Sequence, residues 1–147
     1  MTDISLTVLR NIGAAAKTVF DAWLDPELLR KFMIPGDSMI VPSANTDPTV
    51  GGRFEIVMRN GEQDLPHAGT YTEISPHDKI AFTWETPFSE TSSNVAITFT
   101  PNGDGTTVEL NHTKFATEES RDNHKAGWGK ILEALENVLN WPRRKRP

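Results

Sequence analysis

No cysteine occurs in the 147 residues, which excludes disulfides, iron–sulfur ligation, thiolate zinc sites and cysteine nucleophiles and fits a reducing compartment. Long apolar runs are missing too. No window approaches the roughly 20 residues that span a bilayer, and Met1 Thr2 Asp3 Ile4 Ser5 has neither the basic nor the apolar part of a secretory leader. Positive charge is scarce in the body: the whole chain carries −5, but four bases crowd into Arg143 Arg144 Lys145 Arg146, so residues 1–142 hold −9. A body that acidic excludes a general attraction to nucleic acid or to a membrane of anionic lipid, and residues 142–147 read as a basic, disordered tail. The expectation is a cytoplasmic protein with a single domain over residues 1–141, since a second domain would leave each half too short.

Hydrophobic periodicity supplies the positive content. Ile4, Leu6 and Val8 share the parity of a half-buried strand, and from Ala14 the period changes, with Ala16, Val19, Phe20, Trp23 and Leu24 on one helical face. Asp25 Pro26 Glu27 then provides an N-cap, a proline suited to a first turn and an acid near the helix dipole's positive end. This second helix should run to about Phe32, before Pro35 Gly36 Asp37. Met39 to Val41 reads as a short strand, followed by a loop through Pro42, Asn45, Asp47 and Pro48.

From Arg53 the pattern is one of strands: Phe54 Ile56 Met58, the turn Asn60 Gly61, then Ala68 to Ile74, Ile80 to Trp84, Val95 to Thr100, the turn Asn102 to Gly105, and Val108 to His112. Each strand has one apolar and one wet face, so the sheet is antiparallel and covered on one side. Trp128, Ile131, Leu132, Leu135, Val138 and Leu139 keep helical spacing over about Arg121 to Asn140, with Pro142 as the stop. A strand, two helices, several antiparallel strands and one long helix make an α+β fold without βαβ units.

Overt catalytic signatures are absent. His67, His77, His112 and His124 form no HExxH or HxH spacing, which predicts no metal site. Ser38 and Ser120 sit in no GxSxG, and the glycines at 51, 52, 103 and 105 lack the strand-to-helix context of a phosphate loop, so no cofactor is expected. Strand parity aims His112 inward with Val108 and Leu110, either as a core histidine bonded to its neighbours or as a ligand-orienting or acid–base group. Tyr71 and Glu73 share a parity and are either both inward or both solvated; Arg53 is placed to brace a carboxylate such as Glu55 or Glu73.

Four stretches carry a resemblance that spans nearly the whole chain. They are Val19 Phe20 Asp21 Ala22 Trp23 with Asp25 Pro26 Glu27; Val50 Gly51 Gly52 Arg53 Phe54; Gly69 Thr70 Tyr71 with Glu73 and Phe82 Thr83 Trp84; and Gly105 Thr106 Thr107 through His112, closed by Gly127 Trp128. In these the chain resembles the Bet v 1/START-like (SRPBCC) superfamily and, within it, the family named for the activator of the Hsp90 ATPase. The resemblance implies a helix-grip fold, a curved antiparallel sheet wrapped around the C-terminal helix with room for a cavity between them. Phe32 Met33 Ile34 Pro35 stands where relatives often have paired tryptophans, and the Asn- and Trp-rich motif of the eukaryotic co-chaperones is absent from this sequence, so the resemblance does not imply stimulation of Hsp90.

Set in that fold, Phe32, Met33, Met39, Met58, Tyr71, Trp84, His112, Trp128 and Leu132 are the predicted ligand-contacting residues, with adaptable apolar surface from the methionines and tryptophans and polar anchors from His112 and Tyr71. The leading expectation is non-catalytic binding of a small hydrophobic or amphipathic molecule. The alternatives are a cyclase- or hydratase-like enzyme using His112 as acid or base, and an interaction module that engages a chaperone or forms a homodimer.

Overall fold

The computed structural model describes residues 4–34, 39–86, 93–115 and 117–145, the last segment with side chains to residue 139. Pro35, Gly36, Asp37 and Ser38 lie outside the described residues, as do the side chains of the basic tail.

In chain order the elements are β1 (Ile4–Ile12), α1 (Ala16–Ala22), α2 (Pro26–Phe32), β2 (Met39–Thr46), β3 (Arg53–Asn60), β4 (Gln63–Ser75), β5 (Lys79–Trp84), β6 (Ser93–Asn102), β7 (Gly105–Phe115) and α3 (Glu118–Lys145). The strands form one seven-stranded sheet in the order β1-β7-β6-β5-β4-β3-β2. Every neighbouring pair is antiparallel. The α+β architecture read from the sequence is therefore the one observed, with all three helices on the apolar face. No helix among the described residues is long and apolar enough to cross a membrane.

Alternation of side chains builds the core. Ile80, Phe82 and Trp84 of β5, Val95, Ile97 and Phe99 of β6, and Val108, Leu110 and His112 of β7 are all buried, while the residues between them are less so. Trp128, Ile131, Leu132 and Leu135 of α3 close over them. Arg10 of β1 reaches Glu136 of α3 at 2.7 Å, tying the helix to the edge of the sheet. Asp25 caps α2 as its sequence predicts, accepting from the backbone N–H of Glu27 at 2.9 Å. The β3–β4 and β6–β7 hairpins each turn through two residues, and Gly61 and Gly103 supply the positive φ (66° and 63°) that such turns need.

β2, β4 and α3 run past positions where the sequence reading places a loop, a strand start or a stop. β2 continues through the expected loop to Thr46, because Pro42 falls at a register shift between Ile40 and Ser43 on an edge strand, where its missing N–H breaks no inner ladder. β4 begins at Gln63 rather than Ala68. Pro66 is tolerated there since this first part pairs with β3, while the β5 ladder starts only at Tyr71, preceded by a lone bridge from Ala68 to Glu85. α3 starts at Glu118, with Thr117 Oγ1 accepting from the Ser120 N–H at 3.0 Å, and its backbone passes Pro142, the expected stop, to reach Lys145. A proline this near the end forfeits one hydrogen bond with little helix left to disrupt.

Two irregularities re-aim side chains. A register shift between Tyr71 and Glu73 breaks their common parity: Tyr71 is buried and Glu73 faces solvent, 3.3 Å from Lys79. Near the end of β7, Lys114 adopts φ 69° where the register with β1 shifts, so Phe115 turns inward and packs on the His112 ring at a centroid distance of 4.2 Å. Arg53 braces neither Glu55 nor Glu73. Its guanidinium meets Glu85 at 3.0 Å and Thr70 at 2.9 Å, across the sheet rather than along the strand, and this bond holds the Glu85 carboxyl below its ordinary range.

Candidate ligand-binding site

Inward parity on β3 gives Phe54, Ile56 and Met58; the register then sets Met58 opposite Leu65, Ile56 opposite His67 and Phe54 opposite Gly69. Trp84 ends the neighbouring strand, and its ring stacks obliquely on His67 with centroids 4.8 Å apart. Gly69 allows this crowding. A Cβ there would collide with the Thr83 carbonyl oxygen and come within 2.6 Å of the Phe54 ring. On the opposite wall α3 presents Asn123, His124, Gly127, Trp128 and Ile131.

Between these walls lies a cleft of about 400 Å³, bordered by Met39, Met58, Leu65, His67, Trp84, Trp128 and Ile131 together with the first turns of α3. Most of its surface is apolar. The structure brings four of the predicted contact residues to it: Met39, Met58, Trp84 and Trp128. Tyr71 and Met33 instead line a separate void of about 10 Å³ behind Trp84, with room for about one water at most. Burial raises the Tyr71 phenol above its ordinary pKa. Phe32 and Leu132 are fully enclosed, Phe32 against the edge of Trp23.

His112 lies behind the cleft. Trp84 and Trp128 approach to a centroid distance of 5.1 Å, so the space that the sequence places between Trp84, His112 and Trp128 is filled by their own rings. An indole nitrogen only donates, so the 2.9 Å bond from Trp128 Nε1 makes His112 Nδ1 an acceptor and leaves the proton on Nε2. Nε2–H then donates to Ser93 Oγ at 2.6 Å, and the Ser93 hydroxyl donates onward to the Trp84 carbonyl at 3.4 Å. Burial, reinforced by nearby His124, pushes His112 down to about 3, so the ring is neutral across the physiological range.

His67 and His124, which the sequence does not single out, carry the opposite tautomer. Their Nδ1 atoms bond to carbonyl oxygens, His67 to Leu65 at 2.9 Å and His124 to Ser120 at 2.8 Å, and a carbonyl can only accept. In the neutral form each ring therefore holds its proton on Nδ1 and presents Nε2 as an acceptor. Burial chiefly pulls His67 down to about 4, with a smaller push from His124 and opposition from the Leu65 bond. Among the described residues no group of three or more metal-ligating side chains assembles. The signal that finds His67 is parity: once Tyr71 is inward, Gly69, His67 and Leu65 follow, provided Pro66 is allowed within a strand.

Known structures share this fold. The chain matches the crystal structure of the AHSA1 protein from Silicibacter pomeroyi with a TM-score of 0.80 and 26% identity, over 95% of this chain and 99% of that one. The solution structure of an AHSA1-like protein from Aeromonas hydrophila matches at 0.80 and 20% identity, over 98% and 97% of the two chains. A crystal structure of a Chromobacterium violaceum protein gives 0.81 and 22%, over 91% and 96%. No curated protein matches the sequence. The model of the family described as activator of Hsp90 ATPase homolog 1-like protein matches residues 13–140, nearly the whole fold, and the chain belongs to that family.

Proposed function

We propose that the protein binds a small hydrophobic or amphipathic molecule, without transforming it, in the cleft between β3–β4 and α3. The observation that carries this reading is the cleft itself. Its volume of about 400 Å³ falls within the range of about 300–1,000 Å³ usual for small-molecule sites, and its apolar wall is interrupted by a few polar groups. Met39 and Met58 are unbranched and conform to varied shapes, while Trp84 and Trp128 contribute broad, stiff faces. A binding role also accords with the state of His112, the acid–base candidate: both its nitrogens are engaged and the ring lies behind the tryptophans. The site is thus displaced outward from the one the sequence predicts, though it keeps the sheet and C-terminal helix as its two walls.

Thermal unfolding against a panel of alkylated aromatics, terpenoids and medium-chain lipids tests the proposal. A ligand at a hundred times its dissociation constant adds about 2.7 kcal/mol to stability, an easily measured shift. A panel without any stabilising member overturns the reading.

A further inference from the structure

We propose that the cleft selects ligands that carry a hydrogen-bond donor, such as phenols, aromatic alcohols and amines, over ethers and carboxylates of the same shape, with His67 and His124 as the acceptors. The inference rests on the binding role proposed for the cleft and specifies its ligand chemistry.

The polar inventory of the cleft walls leads to this conclusion. Trp128 Nε1 is already bonded to His112. The Trp84 indole N–H is sealed from the cleft, being buried without a partner. The His67 and His124 Nδ1–H groups are engaged by the Leu65 and Ser120 carbonyls. Neither histidine Nε2 has a hydrogen-bond partner among the described residues, and neither is sealed as the Trp84 N–H is. Asn123 can donate or accept and so discriminates little. What the cleft offers specifically is therefore a pair of lone pairs set in apolar wall, one from the strand and one from the helix.

A phenol or ammonium group satisfies such an acceptor. An ether oxygen cannot, and a carboxylate would set its charge against a lone pair with no lysine or arginine among the residues that border the cleft. The depressed proton affinity of His67 keeps that ring an acceptor at neutral pH. The net charge of −5 further disfavours an anion.

Calorimetric titration of the unaltered protein with 4-propylphenol, 4-propylanisole and 4-propylbenzoate at pH 7.5 tests the selection. The phenol should bind about tenfold tighter than the anisole, the ratio one retained hydrogen bond supplies, and the benzoate weakest of the three. In a His67→Phe/His124→Phe variant the phenol should fall to the affinity of the anisole while both still bind. Equal affinities for phenol and anisole in the unaltered protein, or tightest binding of the benzoate, overturn the proposal but leave the apolar cleft as a binding site. Absence of binding by all three overturns the binding reading itself. The ligand series needs no variant to fold, so the selection is testable even if the double substitution destabilises the chain.

Discussion

Trp128 on α3 donates its indole N–H to Nδ1 of His112 on β7 at 2.9 Å, within a fully enclosed setting. One bond joins the closing helix to β7, the strand beside the β1 edge, and sets the histidine's tautomer, which in turn aims Nε2–H at Ser93. The bond is both adhesive and orienting. In an interior of low dielectric each donor and acceptor that loses its partner retains the full cost of desolvation.

Trp128→Phe removes the donor, keeps an aromatic ring and leaves His112 Nδ1 without a partner. Equilibrium urea unfolding should show a loss of about 2–4 kcal/mol, combining an unsatisfied buried acceptor with a partly emptied site. A double-mutant cycle with His112→Phe should return a coupling of about 1 kcal/mol or more. Additive effects would remove the bond from the account of how α3 is held.

Stability should fall in mild acid. His112 and His67 have folded-state pKa values of about 3 and about 4, below the ordinary 6.5, so the unfolded chain binds more protons than the folded one. The stability is fully present above about pH 6.5 and is lost between there and about pH 4 for His67, or about pH 3 for His112. The His112 contribution alone is on the order of 5 kcal/mol. Imidazole resonances followed by NMR should show no protonation of His112 above pH 5 in the folded protein; a midpoint near 6.5 would contradict the buried, neutral ring.

Gly69→Ala should destabilise by about 3 kcal/mol, because the added carbon meets the Thr83 carbonyl and the Phe54 ring between paired strands that cannot separate. Gly61→Ala should lose only about 1 kcal/mol, since open space surrounds Gly61 and only its positive φ opposes a side chain. Similar losses at the two sites in thermal unfolding would contradict the close approach at Gly69.

Ala126→Trp should block the cleft without harming the fold. Ala126 is exposed on α3 and borders the opening, so a large ring there occupies ligand space rather than core. Stability should change by less than about 1 kcal/mol, while affinity for any ligand stabilising the unaltered protein should drop at least tenfold. Unchanged affinity would place the ligand elsewhere.

The order of elements was legible in the sequence because strand and helix impose different periods on the same apolar residues, as Ile80 Phe82 Trp84 and Trp128 Ile131 Leu132 Leu135 illustrate. Prolines misled. Pro42 read as part of a loop and Pro142 as a stop, yet Pro42 sits at a register shift on an edge strand where the ladder has no partner to lose, and the α3 backbone runs on to Lys145. Parity also failed at Glu73, since a bulge reverses the facing of every residue after it and leaves no mark in local composition.

The sequence by itself determined the fold class, the inward facing of His112 and the apolar surfaces of sheet and helix, because these follow from periodicity along a single element. Only the tertiary structure decided where space was left. The rings of Trp84, His112 and Trp128 fill the centre and bond there, and the cleft opens on their outer side between Met58, Leu65 and Ile131. Whether facing side chains meet or leave a gap depends on the distance and register between elements far apart in the chain, and no stretch of sequence encodes that separation alone.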